Sequence, residues 1–158
     1  MNRIVIIGNS GSGKTTLAKE LGASRNLPVI HLDRLFWMPG SFEVKRPPGV
    51  VHAEIDQERQ APAWIVEGVF GELAQRFLER ADHLVWLDLP WAACRANLDS
   101  RGPAQANDVA GFDRLMAWAG DYWTRTDLRS HAGHEKIFHD FPGAKDRITE
   151  RGQLLKLV

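Results

Sequence analysis

The sequence predicts an α/β domain whose parallel sheet is covered by helices on both faces. Three observations point there. Short apolar, mostly β-branched runs end at glycine or an acidic residue: Ile4 to Ile7 before Gly8, Val29 to Leu32 before Asp33, Trp64 to Val66 before Glu67 and Gly68, and His83 to Leu87 before Asp88. Stretches with helical apolar spacing separate these runs, as parallel strands require. A chain of 158 residues, 44% hydrophobic and 25% charged, holds one self-sufficient core and leaves no room for a second full-sized domain, so residues 1–158 are expected to fold as one unit.

The elements follow in order. After the first strand, Leu17, Ala18 and Leu21 form a one-sided stripe that Gly22 ends. From about 34 to 63 the pattern changes: Pro39, Gly40, Pro47, Pro48 and Gly49 break the first half, and Val51, Ile55 and Glu58 suggest a short helix, which reads as a movable insertion. Leu73, Phe77 and Leu78 mark a helix between the third and fourth strands. Pro90 starts another, carrying Cys94, Arg95 and Leu98. Gly102, Pro103 and Gly111 bracket a polar lid segment at about 101–112. Phe112, Leu115, Trp118 and Trp123 predict a helix reaching about Thr126. Lys136 to Phe141 is expected to hold a fifth strand, and Ala144 to Val158 a helix interrupted at Gly152.

Composition excludes several classes. With 20 basic and 20 acidic side chains, the formal net charge is zero, which removes the long-range attraction that sequence-independent nucleic-acid binders use. Only Ile4 to Ile7 stand between Arg3 and Gly8, too short for a signal-peptide core or a membrane span, so a cytosolic protein is expected. The single Cys94 makes neither an internal disulfide nor a cysteine zinc cluster, and the six histidines show no metal-ligand grouping.

Gly8, Asn9, Ser10, Gly11, Ser12, Gly13, Lys14 and Thr15 fit G-x-x-x-x-G-K-[ST] without a mismatch, between a strand and a helix as that motif requires. The glycines let successive backbone N–H groups curl around an anion, and the helix start adds unpaired N–H groups and its positive dipole end. Lys14 spans phosphates and Thr15 offers an oxygen ligand to Mg²⁺. The loop through Thr16 is therefore the expected nucleotide cradle, with ATP and Mg²⁺ as its occupants. The motif recognises a polyphosphate and does not say where the terminal phosphoryl group goes.

Ligands of open parallel sheets gather at the carboxyl ends of the strands, so Asp33, Glu67 and Asp88 are read together. Asp33 is placed to accept a proton from an attacking hydroxyl, or else to cap the helix begun by Arg34. Glu67 is placed to orient Mg²⁺ or bind the acceptor, or else is a plain strand-end glutamate. Asp88 reads either as a metal-binding acid or as a helix-start cap before Pro90. Phosphoryl transfer develops charge that mobile arginines neutralise, and Arg95, Arg101, Arg114, Arg125 and Arg129 all follow the fourth strand. Trp37 and Trp91 are the tryptophans open to a binding role. Trp64, Trp86, Trp118 and Trp123 read as packing.

These residues resemble the adenylate-kinase-like branch of small P-loop kinases, and within it the FlaR-type, or topology-modulation, proteins. The resemblance rests on the loop Gly8 to Thr15, on His31 to Trp37 with Pro39 and Gly40, on Trp64 to Gly68, on Leu87 to Pro90, and on Arg114 to Trp118. It implies a three-layer P-loop NTPase fold with a five-stranded parallel sheet, an acceptor-binding insertion and a short lid that closes over ATP. Asp33, Arg34, Trp37, Glu67 and Gly68 would face the acceptor. Lys14, Asp33, Arg101, Arg114 and Arg125 would carry catalysis, Thr15 and Glu67 would serve the metal, and adenine would lie near the turn from His139 to Ala144.

The chain departs from nucleotide kinases after Gly68, where Val69 and Phe70 replace their Pro-Arg and its phosphate clamp, leaving Lys45, Arg46 or Arg76 to supply that charge. The expected activity is transfer of the ATP γ-phosphoryl group to a small nucleotide, nucleoside or other hydroxyl acceptor. The alternative is a nucleotide-binding regulator or DNA-associated protein with little transfer activity, against which the neutral charge argues.

Overall fold

A computed structural model describes residues 1–103 and 108–157. Strands β1 (Arg3–Gly8), β2 (Val29–His31), β3 (Trp64–Gly68), β4 (His83–Leu87) and β5 (Ala144–Ile148) form one sheet in the order β2-β3-β1-β4-β5, parallel throughout. The helices are α1 (Lys14–Arg25), α2 (Leu32–Phe36), α3 (Pro48–Glu58), α4 (Gly71–Leu78), α5 (Trp91–Arg101), α6 (Val109–Gly120) and α7 (His131–Asp140). Short 3-10 segments occupy Asp121–Trp123 and Arg151–Lys156.

Successive β1 side chains point to opposite faces, which sorts the core into two layers. Val5 and Ile7 pack with Val51, Ile55, Leu73, Phe77 and Ile137 of α3, α4 and α7. Ile4 and Ile6 pack with Leu17, Leu21 and Cys94 of α1 and α5. Burial on both sides explains why β1 reads as a continuous apolar run rather than an alternating one. The chain leaves β1 toward β2 and β3 on one side, then β4 and β5 on the other. The crevice at this switch opens beyond the carboxyl end of β1, where the glycine-rich loop stands.

The C-terminal quarter differs from its sequence-based expectation. Lys136 to Phe141 is helical, within and just after α7, and the fifth strand is Ala144–Ile148, where a helix is expected. The reason is periodicity under weak signal. His134, Ile137 and Phe141 recur at helical spacing on one buried face. β5 is an edge strand of which only Ile148 is buried, and its backbone pairing with β4 fixes it without an apolar pattern. The terminal segment that follows is a 3-10 turn rather than an α-helix.

The insertion at 34–63 contains most of α2, a loop tied by the Trp37–Lys45 bridge, and α3, whose Val51 and Ile55 anchor it in the core. Of the expected lid at 101–112, residues 104–107 lie outside the described residues. On its far side the Asp108 side chain caps α6 by accepting from the Gly111 backbone N–H.

Candidate active site

The loop after β1 is fixed from three directions. Gly11 adopts φ +80°, and a Cβ there would lie 2.4 Å from the Cys94 carbonyl oxygen of α5, so both conformation and space demand glycine. Asn97 of α5 donates from Nδ2 to the Gly11 carbonyl at 2.6 Å and is itself held by Arg151 Nη2 at 2.6 Å. Asn9 donates from Nδ2 to the Ala119 carbonyl at 2.9 Å, while its Oδ1 accepts from the Ser10 backbone N–H at 2.8 Å. α1 begins at Lys14 after Gly13, φ +93°, with no side chain capping its first N–H groups. That leaves the donors an anion needs.

The Lys14 ammonium is buried and donates to the Asn9 carbonyl at 2.7 Å. Burial lowers its pKa, while Glu67 and Asp33 work in the opposite direction. Both sequence-predicted carboxylates therefore act on the loop lysine. The Glu67 Oε1 accepts from the Thr15 hydroxyl at 3.1 Å and from His31 Nδ1 at 2.6 Å. Burial would raise the Glu67 carboxyl. The His31 hydrogen bond, the Lys14 charge and the Thr15 hydroxyl outweigh it and hold the group ionised, below its ordinary range. An ionised carboxylate only accepts, so His31 carries its proton on Nδ1.

Asp33 stands in the first turn of α2 and makes no cap hydrogen bond, since His31 holds the N-cap position; the capping role is thereby removed. Its carboxylate reaches solvent from a concave, protein-crowded position. That crowding raises its pKa, against the opposing pull of Lys14. Glu67 adds to the rise and Arg101 opposes it. Asp88 does not cap α5, and its carboxylate is paired on both oxygens. Arg147 grips Oδ2 at 2.6 and 2.9 Å, His131 approaches Oδ1 at 3.1 Å, and Pro90 holds the N-cap of α5.

The structure thus gathers Lys14, Thr15, Asp33, Glu67 and Arg101 around one loop. Arg34 is exposed on α2, next to Asp33. Trp37 packs edge-on against Phe36 and Phe70. Gly68 is buried where a Cβ would meet Leu32 at 2.6 Å, so this glycine admits α2 to the strand end. Arg114 is exposed and pairs with Glu43 of the insertion at 3.1 Å, and Arg125 lies over Trp118 at 4.1 Å. Of the cations considered as a phosphate clamp, Arg46 is bound to Glu54 and Arg76 to Asp56, and Lys45 lies over Phe36. The Thr15 hydroxyl beside the Glu67 carboxylate is a hard-oxygen pair suited to Mg²⁺, which needs few protein ligands when phosphates supply others. No cluster of three His, Cys, Asp or Glu ligands exists among the described residues.

A cavity of ≈ 390 Å³ adjoins the loop between α1, α5 and the 3-10 segment after β5, lined by Gly13, Thr16, Asn97, Arg101, Arg151 and Leu154 among others. The turn from His139 to Ala144, where resemblance places adenine, instead precedes β5 and stands at the amino end of the parallel sheet, with Gly143 beside Asp82. It is on the wrong end because the fifth strand begins, rather than ends, after Pro142. The segment that borders the cavity is Arg151 to Leu154. Sequence reasoning missed His31, Asn97 and Arg151. Only His31 left a signal, as the last residue of a strand next to an acidic strand end.

Sheet order, loop and helix start together define a P-loop NTPase-type α/β domain. Solved structures narrow this to the fold of small P-loop kinases. The chain is similar to a shikimate kinase from Acinetobacter baumannii (TM-score 0.59, 14% identity, covering 99% of this chain and 90% of that one) and to a gluconokinase from Sinorhizobium meliloti 1021 (0.55, 15%, 99% and 87%). It is also similar to a deoxyadenosine kinase from M. mycoides with bound dATP (0.53, 12%, 98% and 95%). No family profile and no curated relative matches the sequence. No helix among the described residues is long and apolar enough to cross a membrane.

Proposed function

We propose that this protein is an ATP- and Mg²⁺-dependent phosphotransferase of the adenylate-kinase-like type, moving the γ-phosphoryl group to a small acceptor. The observation that carries this reading is the buried Lys14 at the head of α1, within electrostatic reach of the carboxylates of Glu67 at the end of β3 and Asp33 in the first turn of α2. Its structural neighbours being kinases of small molecules supports it. The ≈ 390 Å³ cavity is the natural seat of the nucleoside.

In this reading the loop N–H groups and Lys14 bind the phosphates, and Arg101, at the cavity and within electrostatic reach of Lys14 and Asp33, balances charge as the phosphoryl group moves. Thr15 and Glu67 would hold Mg²⁺, which neutralises phosphate charge when bound. Asp33 accepts the proton of the attacking hydroxyl. Arg114 closes onto the transferring group only by leaving Glu43, an exposed pair that costs little to break. Calorimetry with MgATP tests the reading: Lys14→Ala is expected to weaken binding at least tenfold with the circular-dichroism spectrum retained. An unchanged affinity and turnover in that variant overturns it.

A further inference from the structure

A second cavity, of ≈ 350 Å³, lies between α4, α6 and the segment before α7, lined by Glu72, Trp118, Arg125, Asp127, Leu128 and Arg129. Arg129 links it to α2, the helix that carries Asp33. The Arg129 guanidinium stacks over Phe36 at 4.7 Å and Phe70 at 4.9 Å, and these rings stack on each other at 4.2 Å. Phe36 follows Asp33 by three residues on α2, so both sit on one helix face about a turn apart. Phe70 follows Gly68 by two residues at the end of β3.

The polar inventory of this cavity is incomplete in a specific way. Arg129 gives Nε and Nη2 to Glu72 Oε1, at 2.7 and 2.5 Å, and Glu72 Oε2 is left buried without a partner. Arg125 reaches Asp127 Oδ2 only through Nη1 at 3.5 Å, while its Nε and Nη2 are buried and unpaired among the described residues. At the wall of a cavity, stranded groups of this kind are satisfied by a molecule that enters it and offers the matching donors and acceptors. Two guanidiniums face two carboxylates, so the lining has no surplus charge for an anion or a cation. A donor edge and an acceptor oxygen left open in a neutral surround match hydroxyl groups, which accept from Arg125 and donate to Glu72. One face of Trp118 is already covered by Arg125 at 4.1 Å, which disfavours a sandwiched nucleobase. The volume is at the small end of the range of about 300–1,000 Å³ usual for small-molecule sites.

We propose that this cavity receives the phosphoryl acceptor and that the acceptor is an uncharged polyhydroxy compound of the sugar, sugar-alcohol or cyclitol class. The inference rests on the kinase reading and names its acceptor. In the reaction the acceptor hydroxyl oxygen forms a bond to the γ-phosphorus as the bond from that phosphorus to the β,γ-bridging oxygen breaks. ADP leaves with the electron pair, and the hydroxyl proton passes to Asp33.

The test uses the full chain with MgATP and follows ADP release with myo-inositol, glucitol and ribose as uncharged probes and with gluconate and AMP as charged ones. At least one uncharged probe is expected to raise ADP release tenfold or more over the acceptor-free rate. Glu72→Gln is expected to raise the KM for that probe at least tenfold, and by more than it changes the KM for ATP. Calorimetric titration of the wild-type chain with the same probes, in the presence of a non-hydrolysable ATP analogue, reads binding without any variant. Stimulation by gluconate or AMP alone, or a KM for the uncharged probe untouched by Glu72→Gln, overturns the proposal. If MgATP binds and no uncharged probe binds or accelerates, the acceptor assignment fails while the kinase reading stands. If MgATP itself does not bind, both fall.

Discussion

His31 Nδ1 and Glu67 Oε1 meet at 2.6 Å across neighbouring strands, in direct register at the carboxyl ends of β2 and β3. The same Glu67 oxygen accepts from the Thr15 hydroxyl, so the imidazole fixes the carboxylate that in turn fixes the loop threonine. Partners of this kind hold a ligand group in place, and their loss typically costs about 10–100-fold in metal affinity or activity. His31→Ala is accordingly expected to shift the Mg²⁺ dependence of ADP release upward by about tenfold. His31→Asn, which can keep an N–H donor toward Glu67, should recover part of that loss. A Mg²⁺ titration at saturating ATP checks both.

The pH profile should be bounded by groups that already act on each other. In the proposed reaction Asp33 must be ionised to take a proton, and the crowding of protein around its solvent-reaching carboxyl raises its pKa. Activity therefore climbs as pH rises through a point above the ordinary aspartate value. Lys14 must be protonated to grip phosphate, and burial lowers its pKa, so activity falls again on the alkaline side earlier than an exposed lysine would dictate. Asp33→Asn should abolish the acidic limb together with most of the single-turnover rate while ATP still binds. An acidic limb that persists in this variant assigns it to another group.

How much of this was legible in the sequence depends on which force shaped each part. The loop from Gly8 to Thr15 could be read residue by residue because its chemistry dictates both residue type and spacing, as Gly11 against Cys94 shows. β1 and β3 were legible because burial on both faces leaves a run of apolar residues, Ile4 to Ile7 and Trp64 to Val66, before the strand ends. β5 was not, since an edge strand needs backbone partners rather than an apolar pattern, and Ala144 to Ile148 carries three charged residues. The pairing of His31 with Glu67, or of Arg151 with Asn97, spans 36 and 54 residues and is created only by the fold. Asp88 looked equally like a metal ligand and a cap. The fold pairs it with Arg147 and His131, both remote in sequence, and gives the cap position of α5 to Pro90.

Gly11→Ala is expected to damage nucleotide binding beyond its effect on stability. The φ of +80° costs an alanine about 1–2 kcal/mol by itself, and its Cβ would press on the Cys94 carbonyl oxygen, which cannot move without shifting α5. Because α5 also carries Asn97, which holds the Gly11 carbonyl, the loop loses its shape and its anchor together. The measurement is MgATP affinity beside thermal stability. Binding that stays at the wild-type level in a folded variant shows that the loop tolerates the change.

A buried relay from Trp86 to Val69 is expected to contribute to the acid sensitivity of the fold. Trp86 Nε1 donates to the Tyr122 hydroxyl at 3.2 Å, Tyr122 donates to His134 Nδ1 at 2.7 Å, and His134 Nε2 donates to the Val69 carbonyl at 2.9 Å. The directions are forced: indole only donates, the Val69 carbonyl only accepts, and a neutral imidazole does one of each. Burial pushes His134 down to about 3, so the native protein keeps it neutral. Between about pH 6.5 and 3 the unfolded chain takes up a proton that the native chain refuses. Stability therefore falls on acidification by about 1.4 kcal/mol per pH unit from this group, with no contribution above pH 6.5. Tyr122→Phe strands the Trp86 N–H and the His134 nitrogen, at about 1–3 kcal/mol for each group left unpaired. Urea unfolding between pH 4 and 8 checks both effects. The acid slope should shrink in His134→Gln, which keeps an amide donor for Val69 and has nothing to titrate. Equal slopes in wild type and variant would assign the acid loss to the carboxylates instead.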